Sequence, residues 1–209
     1  MDAVNMIRAA RAEMLINTVL CDVGDVIIMF DQAVATNIES RHRLEPGSLL
    51  PAALKSPEGR LAMVGGIDPD RWRRAMAQKL GEEAVAEWLD YHGDVNHEVV
   101  ALIKDLRNQD IRVVLLSNAT TRLWDDLAFH GLSALANAVF CSADIGRAKP
   151  DPESYRHAAR HGGFRLDQAL YVDDTPSWVA AAARLGLHGH VFESAQLLRQ
   201  DLVARGLLP

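Results

Sequence analysis

The sequence predicts an α/β protein in which a parallel sheet is sandwiched by helices and a helical segment is inserted after the first strand. Two observations support this prediction. From Ile111 onward, short apolar runs alternate with helical stretches, as in β-α-β units around a parallel sheet. Between residues 31 and 108, helical patterns follow one another and nothing looks strongly like a strand. We therefore expect a core domain of residues 1–30 and 109–209, interrupted by a helical cap domain of residues 31–108.

The first strand is predicted in the run from Thr18 to Ile28, where an apolar segment ends on Asp22 and turn chemistry follows at once. Short apolar runs with such bounds are typical of buried strands in parallel sheets. A strand that ends on Asp22 places this carboxylate where open α/β sheets bind their ligands. An ordinary turn aspartate has the same local pattern. This stretch alone therefore leaves both interpretations open.

Helix starts and punctuation divide the inserted segment. The clearest start is Asp68-Pro69, because aspartate suits the N-cap and proline suits the first helical position. Pairs of glycine and proline separate the shorter pieces before it. The predicted helices cover approximately residues 32–44, 69 onward, 82–91 and 96–107.

The second half of the chain alternates strands with helices. Apolar runs predict strands at 111–116, 138–141, 169–172 and 188–192. Helices are predicted between and after them at 121–130, 151–161, 177–185 and 194–205. Such units have right-handed crossovers, so the carboxyl ends of the strands lie along one edge of the sheet.

Composition and charge argue against several classes of protein. The 209 residues carry a formal net charge of −6 without a long basic run, which argues against general nucleic-acid binding. No apolar run approaches the ~20 residues of a transmembrane helix. Residues 1–17 do not resemble a signal peptide and predict a short amphipathic helix (Ile7, Ala10, Met14, Leu15). We expect a cytoplasmic protein without a nucleic-acid or membrane partner, whose two cysteines, Cys21 and Cys141, are buried thiols. The oligomeric state is not predicted.

Polar residues end three of the predicted strands. Asp22 ends the first, Ser117-Asn118 the second, and Asp173-Asp174 the fourth. Because these strand ends share one edge of the sheet, the side chains can converge although they are far apart in sequence. Adjacent carboxylates at a buried strand end repel each other unless a cation is present. Asp173-Asp174 is therefore the strongest single indication of a metal site.

One loop lysine completes the set. Lys149 lies just before the helix start at Asp151-Pro152. Carboxylates, a hydroxyl, a lysine and nearby helix N-termini are together typical of magnesium-assisted phosphoryl transfer. Each residue alone is a weak signal, and their ordered combination is a strong one.

With these motifs, the sequence resembles the haloacid-dehalogenase-like (HAD) hydrolase superfamily over almost the whole chain after its N-terminal extension. Four segments carry the resemblance: Cys21 to Val26, Leu115 to Asn118, Lys149 to Tyr155, and Val172 to Asp174. It implies a Rossmann-like core, and the helical insert resembles the cap of the C1 subclass. The most similar branches are small phosphatases of the glucose-1-phosphatase type and the N-terminal phosphatase domain of soluble epoxide hydrolases.

The resemblance implies a catalytic role for several matching residues. Asp22 is implied as the nucleophile that forms an aspartyl-phosphate, which water then hydrolyses. Ser117 and the backbone N–H of Asn118 are implied to bind the phosphate oxygens. Lys149 is implied to neutralise charge on the phosphoryl group and to keep Asp22 ionised.

The resemblance also implies Mg²⁺ as the cofactor. Its implied ligands are the side chains of Asp22 and Asp174, the backbone carbonyl of Gly24, and Asp173 either directly or through water. Such hard oxygen ligands suit Mg²⁺, which prefers octahedral geometry and keeps several waters.

Two positions depart from the family's pattern. Most family phosphatases carry an aspartate that acts as acid and base two residues after the nucleophile. Here that position is Gly24, as in the glucose-1-phosphatase-like branch. Three alternatives for the acid/base stay open: Asp25, a water molecule or a cap residue. Proton transfer of this kind typically contributes ~10²–10⁴-fold to the rate. Trp178 stands where the family often has a small or amide residue, and it either packs in the core or narrows the pocket.

These features predict a Mg²⁺-dependent hydrolase of a small phosphomonoester, such as a sugar phosphate. Its expected partner is a small phosphorylated metabolite that the sequence does not identify. One alternative is a 2-haloacid dehalogenase, which uses the same nucleophile without a metal, although Asp173-Asp174 argues against it. The other alternative is a catalytically silent protein that binds phosphate or metal, in which Gly24 would mark lost chemistry.

Overall fold

The computed structural model describes residues 16–209, in which five parallel strands form one sheet. The strand order is β5-β4-β1-β6-β7, so β1 is central and pairs with β4 and β6. The strands span Thr18–Cys21 (β1), Arg112–Ser117 (β4), Ala138–Cys141 (β5), Ala169–Asp173 (β6) and His188–Val191 (β7). The predicted Rossmann-like α/β fold is therefore confirmed.

Eight of the ten α-helices among the described residues agree with predicted stretches and differ from them mainly at the ends, whereas the short helices Pro57–Ala62 and Ser142–Ile145 were not predicted. Asp68, Asp151 and Ser194 each cap a helix by accepting a hydrogen bond from a backbone N–H of its first turn. The helices span Gln32–Arg41 (α1), Pro57–Ala62 (α2), Pro69–Leu80 (α3), Glu82–Leu89 (α4), His97–Asn108 (α5), Leu123–Phe129 (α6), Ser142–Ile145 (α7), Pro152–Gly162 (α8), Pro176–Ala183 (α9) and Ala195–Ala204 (α10).

Two short strands connect the inserted helices to the sheet. Ile28–Met29 (β2) and Asp94–Val95 (β3) pair antiparallel where the chain leaves and re-enters the core. The expectation of a segment without strands is therefore wrong at Asp94–Val95, because two residues are too short to show a periodicity. Gly93 fits beside them because a Cβ at this position would lie 2.6 Å from Ile28 Cγ2.

The apolar side chains form three clusters. Two of them contain residues of the sheet and its flanking helices, and the third lies within α1–α4, which we call the helical lobe. Helix α5 was expected in the cap domain, but five of its residues pack in a sheet cluster (Val99, Val100, Leu102, Ile103, Leu106). The packing thus places the end of the lobe before β3, and the division into two domains stays a proposal.

Three other expectations concern the chain as a whole. Cys21 and Cys141 are both buried free thiols, as predicted. Within residues 16–209, none of the helices has the length and apolarity needed to cross a membrane. The amphipathic helix expected before residue 16 lies outside the described residues, and the cytoplasmic location stays a prediction.

Candidate active site

The sheet brings Asp22 and Asp173 together at its carboxyl edge. Cys21 pairs with Val172 in the β1–β6 ladder, and the Asp22 N–H donates to the Val172 carbonyl at 2.9 Å. Asp22, the residue after β1, and Asp173, the last residue of β6, are therefore neighbours. They are only 5% and 0% exposed. Ser117 ends β4 on the other side of β1 and is also buried.

Lys149 connects the two aspartates. Its Nζ lies 2.8 Å from Asp22 Oδ2 and 2.8 Å from Asp173 Oδ2, and its side chain is fully buried. A buried ammonium is costly unless anionic partners and hydrogen bonds surround it. The two carboxylates provide that environment, so the sequence-predicted lysine is positioned between two sequence-predicted acids.

Both oxygens of Asp173 receive hydrogen bonds from the protein. The Tyr171 hydroxyl donates to Oδ2, the same oxygen that accepts from Lys149, and the backbone N–H of Thr175 donates to Oδ1 at 2.8 Å. Asp22 accepts fewer hydrogen bonds from the protein: beside its contact with Lys149, its Oδ1 accepts from the Val23 N–H at 2.7 Å. Asp173 is thus the more fully fixed of the two carboxylates.

Asp174 completes a group of three acids that could hold a metal ion. A carboxylate oxygen from each of Asp22, Asp173 and Asp174 lies within 4.8 Å of the other two. Among residues 16–209, the ammonium of Lys149 is the cation paired with this group, and it contacts Asp22 and Asp173. The excess of negative charge and the hard oxygen donors fit a divalent cation such as Mg²⁺.

The same crowding affects protonation. Burial raises the pKa of Asp22 above its usual range, although the nearby Lys149 ammonium acts in the opposite direction. The pKa of Asp174 is also raised, first by burial and then by the charges of Asp173 and Asp25. Ionised carboxylates in this group therefore disfavour one another, as expected for a site that binds a cation.

Asn118 has a structural role that its sequence position did not reveal. Its side-chain Nδ2 donates to the Lys149 carbonyl at 2.9 Å, and its Oδ1 accepts from the Lys149 N–H at 2.7 Å. The amide thereby fixes the backbone from which the lysine side chain extends. The proposed contact of the Asn118 backbone N–H with phosphate stays a prediction, as does the role of Ser117.

Aromatic rings surround the Lys149 ammonium. Its Nζ lies 4.8 Å from the centroid of the Trp178 ring and 5.9 Å from that of Tyr171, distances at which cation–π attraction operates. Trp178 also packs against one of the sheet's apolar clusters, and its carbonyl accepts from the Tyr155 hydroxyl at 3.2 Å. Of the two interpretations of Trp178, core packing is therefore observed.

The loop after Asp22 turns sharply. The Val23 carbonyl accepts from the N–H groups of Ile27 at 2.8 Å and Ile28 at 2.9 Å, and Asp25 adopts a φ of 56°. The charge of Asp25 contributes to the raised pKa of Asp174. Asp25 Oδ1 accepts from the Phe30 N–H at 3.1 Å. A Cβ at Gly24 would meet no atom within 4 Å, so the position of the missing acid/base is open space.

Tyr171 is the functional candidate that the sequence analysis missed. It lies two residues before Asp173 in β6, and side chains two apart on a strand share one face. This alternation could have indicated that its hydroxyl reaches the aspartate. The apolar context of the strand obscured the signal, since a tyrosine there is also an ordinary core residue.

Comparison with known sequences identifies several similar proteins. The flavin mononucleotide hydrolase 1 of Arabidopsis thaliana is 38% identical over 76 residues, which are 36% of this chain and 31% of that protein. The chain thus spans about a third of that relative's length. A sesquiterpene phosphatase of Aspergillus oryzae is 24% identical over 180 residues and matches 83% of this chain and 88% of its own.

Solved structures share the fold. A HAD family enzyme of Bacteroides thetaiotaomicron, solved with magnesium and inorganic phosphate, superposes with a TM-score of 0.69 at 19% identity. The superposition covers 85% of this chain and 94% of that one. The family model for haloacid dehalogenase-like hydrolases matches residues 16–186, which include β1 to β6 and every predicted site residue. The chain therefore belongs to the haloacid dehalogenase-like hydrolase family.

Proposed function

We propose that this protein is a Mg²⁺-dependent phosphatase that hydrolyses a small phosphomonoester through an aspartyl-phosphate on Asp22. The observation that carries the proposal is the buried Lys149 ammonium, which lies 2.8 Å from both Asp22 and Asp173 within a group of three acids. The phosphatase names of the relatives and the magnesium and phosphate in a similar structure support it.

In the first step, an oxygen of Asp22 attacks phosphorus while the bond from phosphorus to the leaving oxygen breaks. The departing oxygen takes up a proton, and water then attacks the aspartyl-phosphate to release phosphate and restore Asp22. Lys149 neutralises charge on the oxygens of the phosphoryl group while that group is transferred. Ser117 and the Asn118 backbone N–H orient those oxygens.

The donor set suggests how the metal would be held. Asp22 and Asp174 would supply the direct carboxylate ligands, and the Gly24 carbonyl would add a neutral oxygen. Both oxygens of Asp173 already accept protein hydrogen bonds, which favours its contact with the ion through water. When bound, Mg²⁺ would withdraw charge from the phosphoryl group and offset the repulsion among the carboxylates.

The substrate is proposed to be a small phosphorylated metabolite, such as a sugar phosphate. A cleft of about 190 Å³ lies between the helical lobe and the core, lined in part by Trp72, Arg73, Thr121 and Arg122. Its size suits a small leaving group, and its lining combines charged side chains with a largely apolar surface. Without an aspartate at Gly24, esters with good leaving groups, such as sugar 1-phosphates, would react fastest.

Hydrolysis of p-nitrophenyl phosphate, with Mg²⁺ or with EDTA, tests the proposal. We expect turnover that requires Mg²⁺ and that Asp22→Asn abolishes. Asp105→Asn, a matched change on the exposed surface of α5, should leave it unaltered. Equal rates for the wild type and Asp22→Asn would overturn the proposal. Inactivity of the wild type toward a broad panel of phosphate esters would favour a silent binding protein, and metal-independent release of halide from a 2-haloacid would favour a dehalogenase.

A further inference from the structure

One contact between the helical lobe and the core is made by a buried serine. Ser142, the residue after β5, is 0% exposed, and its Oγ donates to the Met63 carbonyl at 2.6 Å. Met63 is the residue that ends α2 in the lobe. The hydroxyl of a core residue thus binds the backbone of the lobe directly.

The same hydroxyl also binds the loop that follows β4. Ser142 Oγ accepts from the Ala119 N–H at 3.0 Å and lies 3.1 Å from the Ala119 carbonyl. Ala119 comes directly after Asn118, whose side chain fixes the backbone of Lys149. Hydrogen bonds therefore connect the lobe with the residue next to Asn118, and Asn118 with Lys149.

A hydroxyl has a single proton to donate, and Ser142 has two acceptors for it. With the lobe in contact, the short distance favours donation to Met63. If the lobe moved away, the proton could turn to the Ala119 carbonyl, and the hydroxyl would remain satisfied in its buried position. The serine hydroxyl therefore has two alternative acceptors, the Met63 carbonyl when the lobe is in contact and the Ala119 carbonyl when it is not.

A second contact between the lobe and the core lies next to Ser142, where the two backbones approach each other closely. Gly65 has a φ of +65°, and a Cβ built on it would lie 2.1 Å from the Ala143 carbonyl. The lobe backbone therefore rests directly on the residue after Ser142. A methyl group at this position would push the lobe away without removing the serine hydroxyl.

We propose that Ser142 is a positioning residue that couples contact of the helical lobe to the placement of Asn118 and Lys149 in the active site. Its effect on turnover rests on the proposed phosphatase function, whereas its effect on the backbone does not. Misplacement of catalytic groups by about 1 Å can cost ~10²-fold in rate, so a coupling of this kind is measurable.

The test compares Ser142→Ala, Gly65→Ala and the double variant in the full-length protein. Ser194→Ala is the control, because that serine caps α10 by accepting from Leu197. Amide hydrogen exchange provides a readout that needs no substrate. In Ser142→Ala we expect the Ala119 amide and the segment 63–66 to exchange about tenfold faster, since each loses a hydrogen-bond partner or contact. Gly65→Ala should accelerate exchange in the segment 63–66, and it should accelerate exchange of the Ala119 amide less than Ser142→Ala does, because the hydroxyl keeps its bond to Ala119.

Steady-state kinetics with p-nitrophenyl phosphate and Mg²⁺ provide the second readout. We expect kcat to fall about tenfold in Ser142→Ala with a smaller change in KM, because the altered group positions Lys149 rather than contacting the ester. The double variant should lose less than the product of the two single losses, because both changes break one coupling.

Several results would overturn the inference. One is an unchanged exchange rate at Ala119, or an unchanged kcat, in folded Ser142→Ala. Another is faster exchange of the segment 63–66 in Gly65→Ala without any fall in kcat. This result would reject the coupling even if the Ser142→Ala variant does not fold. Fully multiplicative losses in the double variant would also contradict it. Absence of turnover in the wild type would instead reject the proposed function, and hydrogen exchange would still test the coupling of the backbone.

Discussion

The Lys149 ammonium lies 2.8 Å from Asp22 Oδ2 and has no exposed surface. It lies equally close to Asp173, and the two acids belong to neighbouring strands. One side chain thus joins the strand that carries the proposed nucleophile to the strand that carries the proposed metal ligands. We therefore expect folding stability and the proposed chemistry to depend on the same contact, and mutation can measure both.

Replacement of the lysine should affect stability and activity together. In Lys149→Met, two buried carboxylates lose their cation, and removal of one partner from such a pair typically costs about 3–5 kcal/mol. We expect a loss of this size in the free energy of unfolding at pH 7, measured with urea in the presence of EDTA. The loss should be smaller at pH 5, because burial raises the pKa of Asp22 and its protonation then removes one uncompensated charge.

Phosphatase activity of Lys149→Met should fall by at least ~10²-fold, since the phosphoryl charge loses its neutralising partner. Lys104→Met on the exposed face of α5 is the control and should change neither quantity. A variant as stable as the wild type would contradict the structural role of the lysine.

Asp22→Asn should make the metal-free protein more stable at neutral pH. Burial raises the pKa of Asp22 in the folded state, so the folded protein retains this proton to a higher pH than the unfolded chain. The contribution of Asp22 to stability therefore falls as the pH rises above its unfolded pKa of ~3.9 and levels off beyond the raised value. Asparagine does not titrate and removes this decrease.

Thermal unfolding in EDTA between pH 4 and pH 8 measures the effect. We expect the Tm of Asp22→Asn to exceed that of the wild type by an amount that grows with pH. Asp105→Asn should show no such trend. A variant that is less stable than the wild type at pH 7 would refute the prediction.

Gly24→Asp should increase turnover. The Cβ has open space, and the backbone of this glycine lies outside the left-handed region, so the substitution is sterically allowed. The resemblance places an acid/base at this position, where proton transfer typically contributes ~10²–10⁴-fold. We expect kcat for an alkyl phosphate, which has a poor leaving group, to rise at least ~10-fold. The gain for p-nitrophenyl phosphate should be smaller.

The control for that prediction is Gly24→Asn, which adds nearly the same volume without a carboxyl group. An equal gain in the two variants would show that packing is responsible and not proton transfer. No gain in a folded Gly24→Asp protein would mean that another group already acts as the acid.

Tyr171→Phe should lower activity while the fold is retained. The change removes the hydroxyl that donates to Asp173 Oδ2 and keeps the aromatic ring beside Lys149. We expect kcat to fall about tenfold and a higher Mg²⁺ concentration to be needed for half-maximal activity, because Asp173 is less firmly held. The hydrogen bond itself should contribute about 1–3 kcal/mol to stability.

Tyr155→Phe is a matched control. This variant also removes a hydroxyl from a tyrosine of the same cluster. That hydroxyl donates to the Trp178 carbonyl and not to an acid of the site. A similar loss of stability with unchanged kcat would separate the two roles. Equal kinetic effects would indicate that the tyrosines act only through packing.

The sequence by itself determined the alternation of strands and helices, because the spacing of apolar residues and the identity of capping residues are local signals. Asp68 and Asp151 marked helix starts that the structure confirms. It also predicted which strand ends carry acids, since Asp22 and Asp173-Asp174 each follow a buried run. Their convergence followed from a general property of parallel sheets.

Tertiary structure alone decided how those residues contact one another. A distance of 2.8 Å from Lys149 to both acids depends on strand order and loop path, which no local pattern encodes. The same holds for the hydroxyl of Tyr171 and for Ser142 beneath Met63, since a buried polar side chain finds its partner only when distant segments pack together. Local residue patterns specified the elements and their chemistry, and long-range packing specified the pairs.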